Sequence, residues 1–350
     1  MRLGVQAAFV GGQLLPGDVE IAGGRIGAVG LEPAGSGIAV PGFVDVQANG
    51  FAGVDFADAD TDGYRRAGEA LLATGVTAFR PTFITAPEEE LAAALAAVPG
   101  VDIGPRILGA HVEGPFISPA RLGAHPAAAR RDPDAALMTR LLDAGPVAHV
   151  TLAPELPGAL ELVDLLVARG VVVACGHTDA TAGEAEAAFA RGARTVTHLF
   201  NAMRPLHHRD PGIAGAALTD PDVTVQLIAD GTHLADEVVR LAFAAARGRV
   251  QLVTDAIAAA TLGDGRYRLG GVEVDVLDGV ARAPGGMLAG SVVTMDESVR
   301  RVHALGVPLE EVLAAASGHG SLVPGSPADV VVLNDALEVS RVLVGGRGSL

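Results

Sequence analysis

The feature that most constrains this chain is a regular alternation of short apolar runs with segments of helical period. The strand candidates are Phe43–Gln47, Val76–Arg80, Arg106–His111, Val147–Ala153, Val171–Gly176, Thr195–Leu199, Thr224–Ala229 and Val250–Thr254. Helical patterns lie between most of them, at Tyr64–Ala73, Pro87–Ala97, Asp134–Ala144, Gly158–Arg169, Ala182–Arg191 and Ala235–Arg247. Eight buried strands alternating with helices predict an α/β fold in which a parallel sheet closes on itself, a (β/α)8 TIM-like barrel. The competing open, doubly wound sheet lacks support, because no Gly-x-Gly-x-x-Gly follows the first strand. Hydrophobic residues are 49% of the chain and charged residues 19%, which is ample material for a large core. Aromatic residues are only 3% with no Trp, so that core must be built from Ala, Val and Leu.

The ends of the chain have a different texture. The first 40 residues read as short strands punctuated by Gly11-Gly12, Pro16-Gly17 and Gly23-Gly24. Strand-like runs return at Ala328–Asn334 and Val339–Val344. The expected organisation is a small β-sandwich from residues 1–40 plus 325–350, and a barrel from 41–324. A glycine-rich hairpin region separates Thr254 from Met295.

Charge and cysteine usage exclude several classes. A formal net charge of −16 argues against nucleic acid, which needs a basic footprint. An anionic small substrate would have to be held by a few local Arg or His residues. The single cysteine, Cys175, excludes an intrachain disulfide and a Cys-based zinc cluster, and it fits a reducing, cytoplasmic setting. No uninterrupted apolar run is long enough to span a membrane. The alternation in Met1–Pro16 reads as strand, not as a signal peptide.

Polar residues fall where the strand candidates end. Asp45, Gln47 and Asn49 accompany the first, His111 and Glu113 the third, and His177 the fifth. His198 ends the sixth, Asp230 and His233 follow the seventh, and Asp255 follows the eighth. In a barrel all of these ends share one rim. A lone His after a strand is ordinarily a hydrogen-bonded loop residue. Glu113, His177 and His198 together, however, make the two-imidazole, one-carboxylate set of a catalytic zinc site with an open position. Such an ion would acidify bound water and polarise a carbonyl. Asp255 reads either as a helix or turn cap or as a general base that later returns its proton to a leaving amine. His111 reads as an orienting or packing residue. His125, in Leu122-Gly123-Ala124-His125-Pro126, reads as plain loop or as a donor to a developing oxyanion. The run His207-His208-Arg209-Asp210 reads as a solvated turn, or, in Arg209 with His233, as a phosphate clasp.

The ordered blocks from Pro41 to Met295 resemble the N-acetylglucosamine-6-phosphate deacetylases of the amidohydrolase superfamily. The blocks include Pro41-Gly42-Phe43-Val44-Asp45, His111-Val112-Glu113-Gly114-Pro115, Gly176-His177-Thr178-Asp179 and His198-Leu199-Phe200-Asn201-Ala202-Met203. Arg209-Asp210-Pro211-Gly212, Asp230-Gly231-Thr232-His233, Val253-Thr254-Asp255 and Leu288-Ala289-Gly290-Ser291 complete them. The resemblance implies Glu113, His177 and His198 as metal ligands; two His and a carboxylate suit zinc, and ferrous iron or cobalt would also fit. It implies Asp255 as general acid/base and His125 as the group that polarises the amide carbonyl. Substrate contacts are implied at Ala124, Asn201, Ala202, Asp230, Gly231, Thr232, His233, Leu288, Ala289 and Gly290. Arg209 and His233 are implied as phosphate contacts, Arg209 reaching into the neighbouring subunit of a homodimer. The implied partner is a small phosphorylated amino sugar, deacetylated in amino-sugar catabolism.

Two departures stand out. Many amidohydrolases carry His-x-His after the first strand and bind two metals, whereas this chain has Gln47 and Asn49, so a mononuclear site is expected. The stretch Ala314–Pro324 is shorter than the family pattern, which puts the last barrel helix in question. The rival activities are hydrolysis of another N-acyl amino sugar or of a cyclic amide, and non-catalytic sensing of a sugar phosphate. The two-metal cyclic-amide type often uses a modified bridging lysine, and this chain contains no Lys. A sensor has no need of the proton shuttle that Asp255 would provide.

Overall fold

A computed structural model describes residues 1–348. Its centre is a parallel sheet of β1 (Phe43–Ala48), β2 (Val76–Ile84), β3 (Ala110–Glu113), β4 (Val147–Leu152), β5 (Val172–Cys175), β6 (Thr195–Val196), β7 (Thr224–Leu227) and β8 (Val250–Leu252). Each strand pairs with the next in chain order. A parallel bridge from Ala48 to Ala256 and the Asp255 N–H to Gln47 oxygen bond of 2.9 Å bring the eighth strand to the first. The sheet is therefore a nearly closed TIM-like barrel.

The helices are α1 (Thr61–Ala73), α2 (Glu88–Ala97), α3 (Ala135–Ala144), α4 (Ala159–Ala168), α5 (Ala182–Ala190), α6 (Gly212–Thr219), α7 (Asp236–Ala245), α8 (Met295–Ala304) and α9 (Leu309–Ala316). Their starts are written locally. Asp60 and Asp134 accept N–H bonds from the first turns of α1 and α3, and Thr181 with Glu184 forms a capping box on α5. Helix α6 is not among the helical patterns of the sequence; it begins directly after the His207–Asp210 turn. Proline is well suited to a helix start, and Ile213, Ala214 and Ala217 are fully buried against the core. Helix α9 is present despite the shortened segment after it, with Val312 and Leu313 fully buried. The third strand candidate divides into Arg106–Ile107, paired with β2, and β3.

The core between barrel and helices is assembled from Val, Leu and Ala with a few Phe, among them Phe43, Phe79, Leu141, Val163 and Val225. Inside the barrel, Val44, Val46, Ile228 and Val253 pack together on one side. The other side is polar: His111 Nε2 meets Thr151 Oγ1 at 2.7 Å, and Thr151 Oγ1 meets Thr197 Oγ1 at 2.8 Å.

Both termini contribute to a six-stranded sheet. Strands Ala7–Val10, Gln13–Pro16 and Ile38–Pro41 join Val330–Leu333, Val339–Val344 and Arg347–Gly348. The hairpin of Asp18–Ala22 and Arg25–Leu31 packs over it through Val19, Ile21 and Ile26 against Ala39, Val330 and Val332. Ser349 and Leu350, the end of the expected 325–350 segment, lie outside the described residues. The glycine-rich region forms a three-stranded antiparallel flap, Gly265–Leu269, Val272–Leu277 and Val280–Arg282. Its tip is held where Gly270 N–H donates to Asp55 Oδ2 at 2.7 Å. Leu269, Val274 and Val276 pack with Ile84 and Ile257 at the barrel mouth.

Candidate metal centre and substrate pocket

Glu113 is the last residue of β3, while His177, His198 and Asp255 lie just past β5, β6 and β8. The last three share a left-handed backbone, with φ of 47°, 30° and 49°. For a side chain with a Cβ this conformation costs about 1–3 kcal/mol and persists only where the surroundings enforce it. Here the chain turns sharply at each strand end, and the polar groups gather over the barrel mouth.

The ligand atoms lie close together. His198 Nε2 is 3.1 Å from both His177 Nε2 and Glu113 Oε1, and His177 Nε2 is 3.4 Å from the same oxygen. Three ligands about 2.0–2.1 Å from a tetrahedral ion are separated by roughly 3.3 Å, so these side chains fit such an ion. His177 Nδ1 is 3.0 Å from the Arg121 carbonyl, which can only accept. Its proton is therefore on Nδ1, and Nε2 presents a lone pair. Burial alone would raise Glu113, but the surrounding imidazoles of His125, His177 and His198 hold its carboxyl well below the usual range.

A second trio competes for the same space. One ligand atom each from Glu113, His125 and His177 lies within 4.8 Å of the others. His125 differs from the other imidazoles in its hydrogen bonding. The Thr85 backbone N–H, an obligate donor, points at His125 Nδ1 from 3.3 Å. That leaves the proton on Nε2, which sits 3.6 Å from Glu113 Oε2. A protonated Nε2 can donate to an oxygen but cannot ligate a metal. Burial, with the neighbouring His177, pushes His125 down to about 4, so the ring is neutral at physiological pH.

Asp255 faces this cluster. Burial and the charge of Glu113 push its carboxyl up to about 7. The cap reading fails for its side chain, whose oxygen Oδ1 accepts instead from Asn49 Nδ2 at 2.7 Å and Gln47 Nε2 at 3.2 Å. His111 stacks on His149 at 4.1 Å inside the barrel, and burial pushes it down to about 3.

The pocket above these groups has a volume of about 270 Å3. Of the residues expected from the sequence, Glu113, Ala124, His125, His177, His198, Asn201, Ala202, His233, Asp255, Leu288 and Gly290 line it. Asp230 stands behind the wall and holds His233, its Oδ2 2.7 Å from His233 Nδ1. Gly231 and Thr232 lie in the same turn outside the lining, and Ala289 is buried in the apolar cluster beneath the flap. Arg209 is exposed and outside the pocket of its own chain. A larger cavity of about 390 Å3 adjoins at Asn49, Ile84 and Leu269, but its lining is mainly apolar and includes no His. Thr85, Gly123, Ile84, Ile228, Leu269 and Met287 were not anticipated. Thr85 supports His125, and the other five line the pocket. Apart from position on the rim, nothing in their residue types marked them.

A barrel whose strand ends unite two imidazoles and a carboxylate defines the class of metal-dependent barrel hydrolases. Residues 38–347 match the amidohydrolase family. The chain is 40% identical to human N-acetylglucosamine-6-phosphate deacetylase over 96% of its own length and 92% of the relative's. It is 37% identical to an N-acetylgalactosamine-6-phosphate deacetylase of Escherichia coli O157:H7, over 88% of this chain and 86% of that one. Among solved structures it is similar to an Asp-to-Ala variant of N-acetyl-D-glucosamine-6-phosphate deacetylase from Mycobacterium smegmatis, determined with N-acetyl-D-glucosamine-6-phosphate. The TM-score is 0.94 at 38% identity, covering 100% of this chain and 99% of that one. The chain belongs to the amidohydrolase family, and it is a hydrolase.

Proposed function

We propose that the protein hydrolyses N-acetyl-D-glucosamine 6-phosphate to D-glucosamine 6-phosphate and acetate. The observation that carries this reading is the meeting of Glu113, His177 and His198 with Asp255 in one buried pocket, in a chain so similar to deacetylases of that name. Glu113, His177 and His198 would hold one divalent ion, zinc by the chemistry of its donors. When bound, the ion supplies Lewis-acid polarisation and acidifies water. Asp255 takes a proton from the attacking water and delivers it to the amide nitrogen as the C–N bond breaks. His125 donates from Nε2 to the carbonyl oxygen as negative charge develops there. Ala124, Asn201, Ala202, His233, Leu288 and Gly290 contact the sugar phosphate, with Asp230 to Thr232 and Ala289 shaping the wall behind them.

The lining contains no Arg, and the chain contains no Lys. His233 alone is a weak anchor for a phosphate dianion. Arg209, exposed and without an acidic partner among the described residues, fits a role in the pocket of a second copy, which supports a homodimer. The division into a small β-sandwich of 1–40 with 325–350 and a barrel of 41–324, and a cytoplasmic setting, belong to the same proposal. The described residues include no helix long and apolar enough to cross a membrane.

The relative named for the galactosamine epimer makes N-acetylgalactosamine 6-phosphate the second reading. Acetate release from both epimers and from unphosphorylated N-acetylglucosamine tests the assignment. The glucosamine phosphate is expected to give the highest kcat/KM and the unphosphorylated sugar the lowest. A preference for the galacto epimer replaces the first reading by the second, and equal rates with and without phosphate overturn both.

A further inference from the structure

The two oxygens of Asp255 have unlike surroundings. Oδ1 accepts from Asn49 Nδ2 at 2.7 Å and from Gln47 Nε2 at 3.2 Å. Oδ2 has no protein donor among the described residues, and it lies toward Gly290, where an added Cβ would stand 3.8 Å away. Gly290 lines the pocket, so the unengaged oxygen is on the substrate side. Gln47 Nε2 also reaches Glu113 Oε1 at 3.0 Å, so one amide bridges the two buried carboxylates. All three side chains are almost fully buried. A carboxylate in such a site can rotate and offer either oxygen unless one is held. A cation would hold it but would also cancel its charge, and with it much of its power to accept a proton. Neutral amide donors orient the group and leave its charge in place.

We propose that Asn49 and Gln47 are positioning residues, whose amide groups immobilise Asp255 Oδ1 so that proton transfer runs through Oδ2 alone. In this scheme a water O–H bond breaks as the water oxygen bonds to the acyl carbon, and its proton moves to Oδ2. The same proton leaves Oδ2 for the amide nitrogen as the C–N bond breaks, which regenerates the carboxylate and releases carboxylic acid and amine. Gln47 also stands between Glu113 and Asp255, where its N–H groups offset the repulsion of two like charges. The proposal rests on the reading of Asp255 as the acid/base group.

Asn49 is the cleaner probe, because its side chain hydrogen-bonds to Asp255 and to none of the three metal-binding candidates. Its backbone N–H bond to the Ala256 carbonyl survives substitution, which favours a folded variant. Asn49→Ala and Asn49→Gln are compared with the unaltered protein for kcat, KM, zinc per chain and melting temperature. Asn49→Ala is expected to lower kcat roughly 10–100-fold, the usual cost of removing such a supporting hydrogen bond, with KM and zinc content unchanged. Asn49→Gln, which keeps an amide N–H able to donate to Oδ1 and adds no metal ligand, is expected to recover part of that loss. Unchanged kcat in Asn49→Ala overturns the proposal, and so does a loss accompanied by reduced zinc or raised KM. Asp255→Asn serves as the control. If that variant turns over normally, the acid/base assignment itself falls. If it is inactive while Asn49→Ala is fully active, the positioning role falls alone.

Discussion

His177 Nε2 and His198 Nε2 lie 3.1 Å apart, from residues that follow neighbouring strands. His177 has its proton on the far nitrogen, so the facing lone pair and the adjacent Glu113 carboxylate make a concentration of negative potential that a cation relieves. His198→Ala removes one corner of this triangle. Elemental analysis is expected to show metal content falling from one ion per chain to near zero, with the fold retained. Full occupancy in that variant would assign the site to the trio with His125.

His125 is a donor in this account and not a ligand. His125→Ala is therefore expected to keep its metal and lose roughly 100–1,000-fold in kcat, the range for removing one oxyanion donor. Steady-state kinetics with metal analysis on the same sample checks both parts. Loss of metal together with activity would place His125 among the ligands.

Gly290 sits at φ +63°, where a Cβ would stand 2.7 Å from the Asp255 carbonyl oxygen and from Ile257 Cγ2. Gly290→Ala must move the Asp255 backbone, strain the left-handed turn, or both. The expected result is a stability loss of about 1–3 kcal/mol in denaturant unfolding, with a fall in kcat because Asp255 is displaced. A variant as stable and active as the parent would show that this turn yields easily.

Asp55 secures the tip of the flap, and burial pushes its carboxyl up to about 6 from an ordinary 3.8. A carboxyl with a raised folded pKa binds its proton more tightly in the folded state than in the unfolded one. Its contribution to stability is thus fully present below about pH 4 and is lost as pH rises through about 6. The melting-temperature difference between the unaltered protein and Asp55→Asn should be larger at pH 4.5 than at pH 7. A difference independent of pH would mean that Asp55 is not buried as described.

The barrel and the metal-binding candidates were legible because one physical constraint produces both. Parallel strands with both faces covered read as apolar runs, and polar residues at or just past the end of a run fall on the catalytic rim. Glu113, His177, His198 and Asp255 could be selected on that basis. Helix α6 was not legible, since its small residues carry no polar face and its opening Pro-Gly imitates a turn. The role of Asn49 was also hidden. Sequence position put it on the rim, but its bond to Asp255 depends on how the eighth strand closes against the first. Thr85 shows the same limit, because only the fold brings its N–H to His125. Arg209 could be picked out as a cation in an acidic chain, yet the pocket of its own chain lies elsewhere.

Titration of metal-free protein with zinc, with acetate release from N-acetylglucosamine 6-phosphate followed at each addition, tests the central claim most directly. The account predicts no turnover at zero metal and a linear rise that stops at one ion per chain. Full activity without metal, or a rise that continues to two ions, would contradict it.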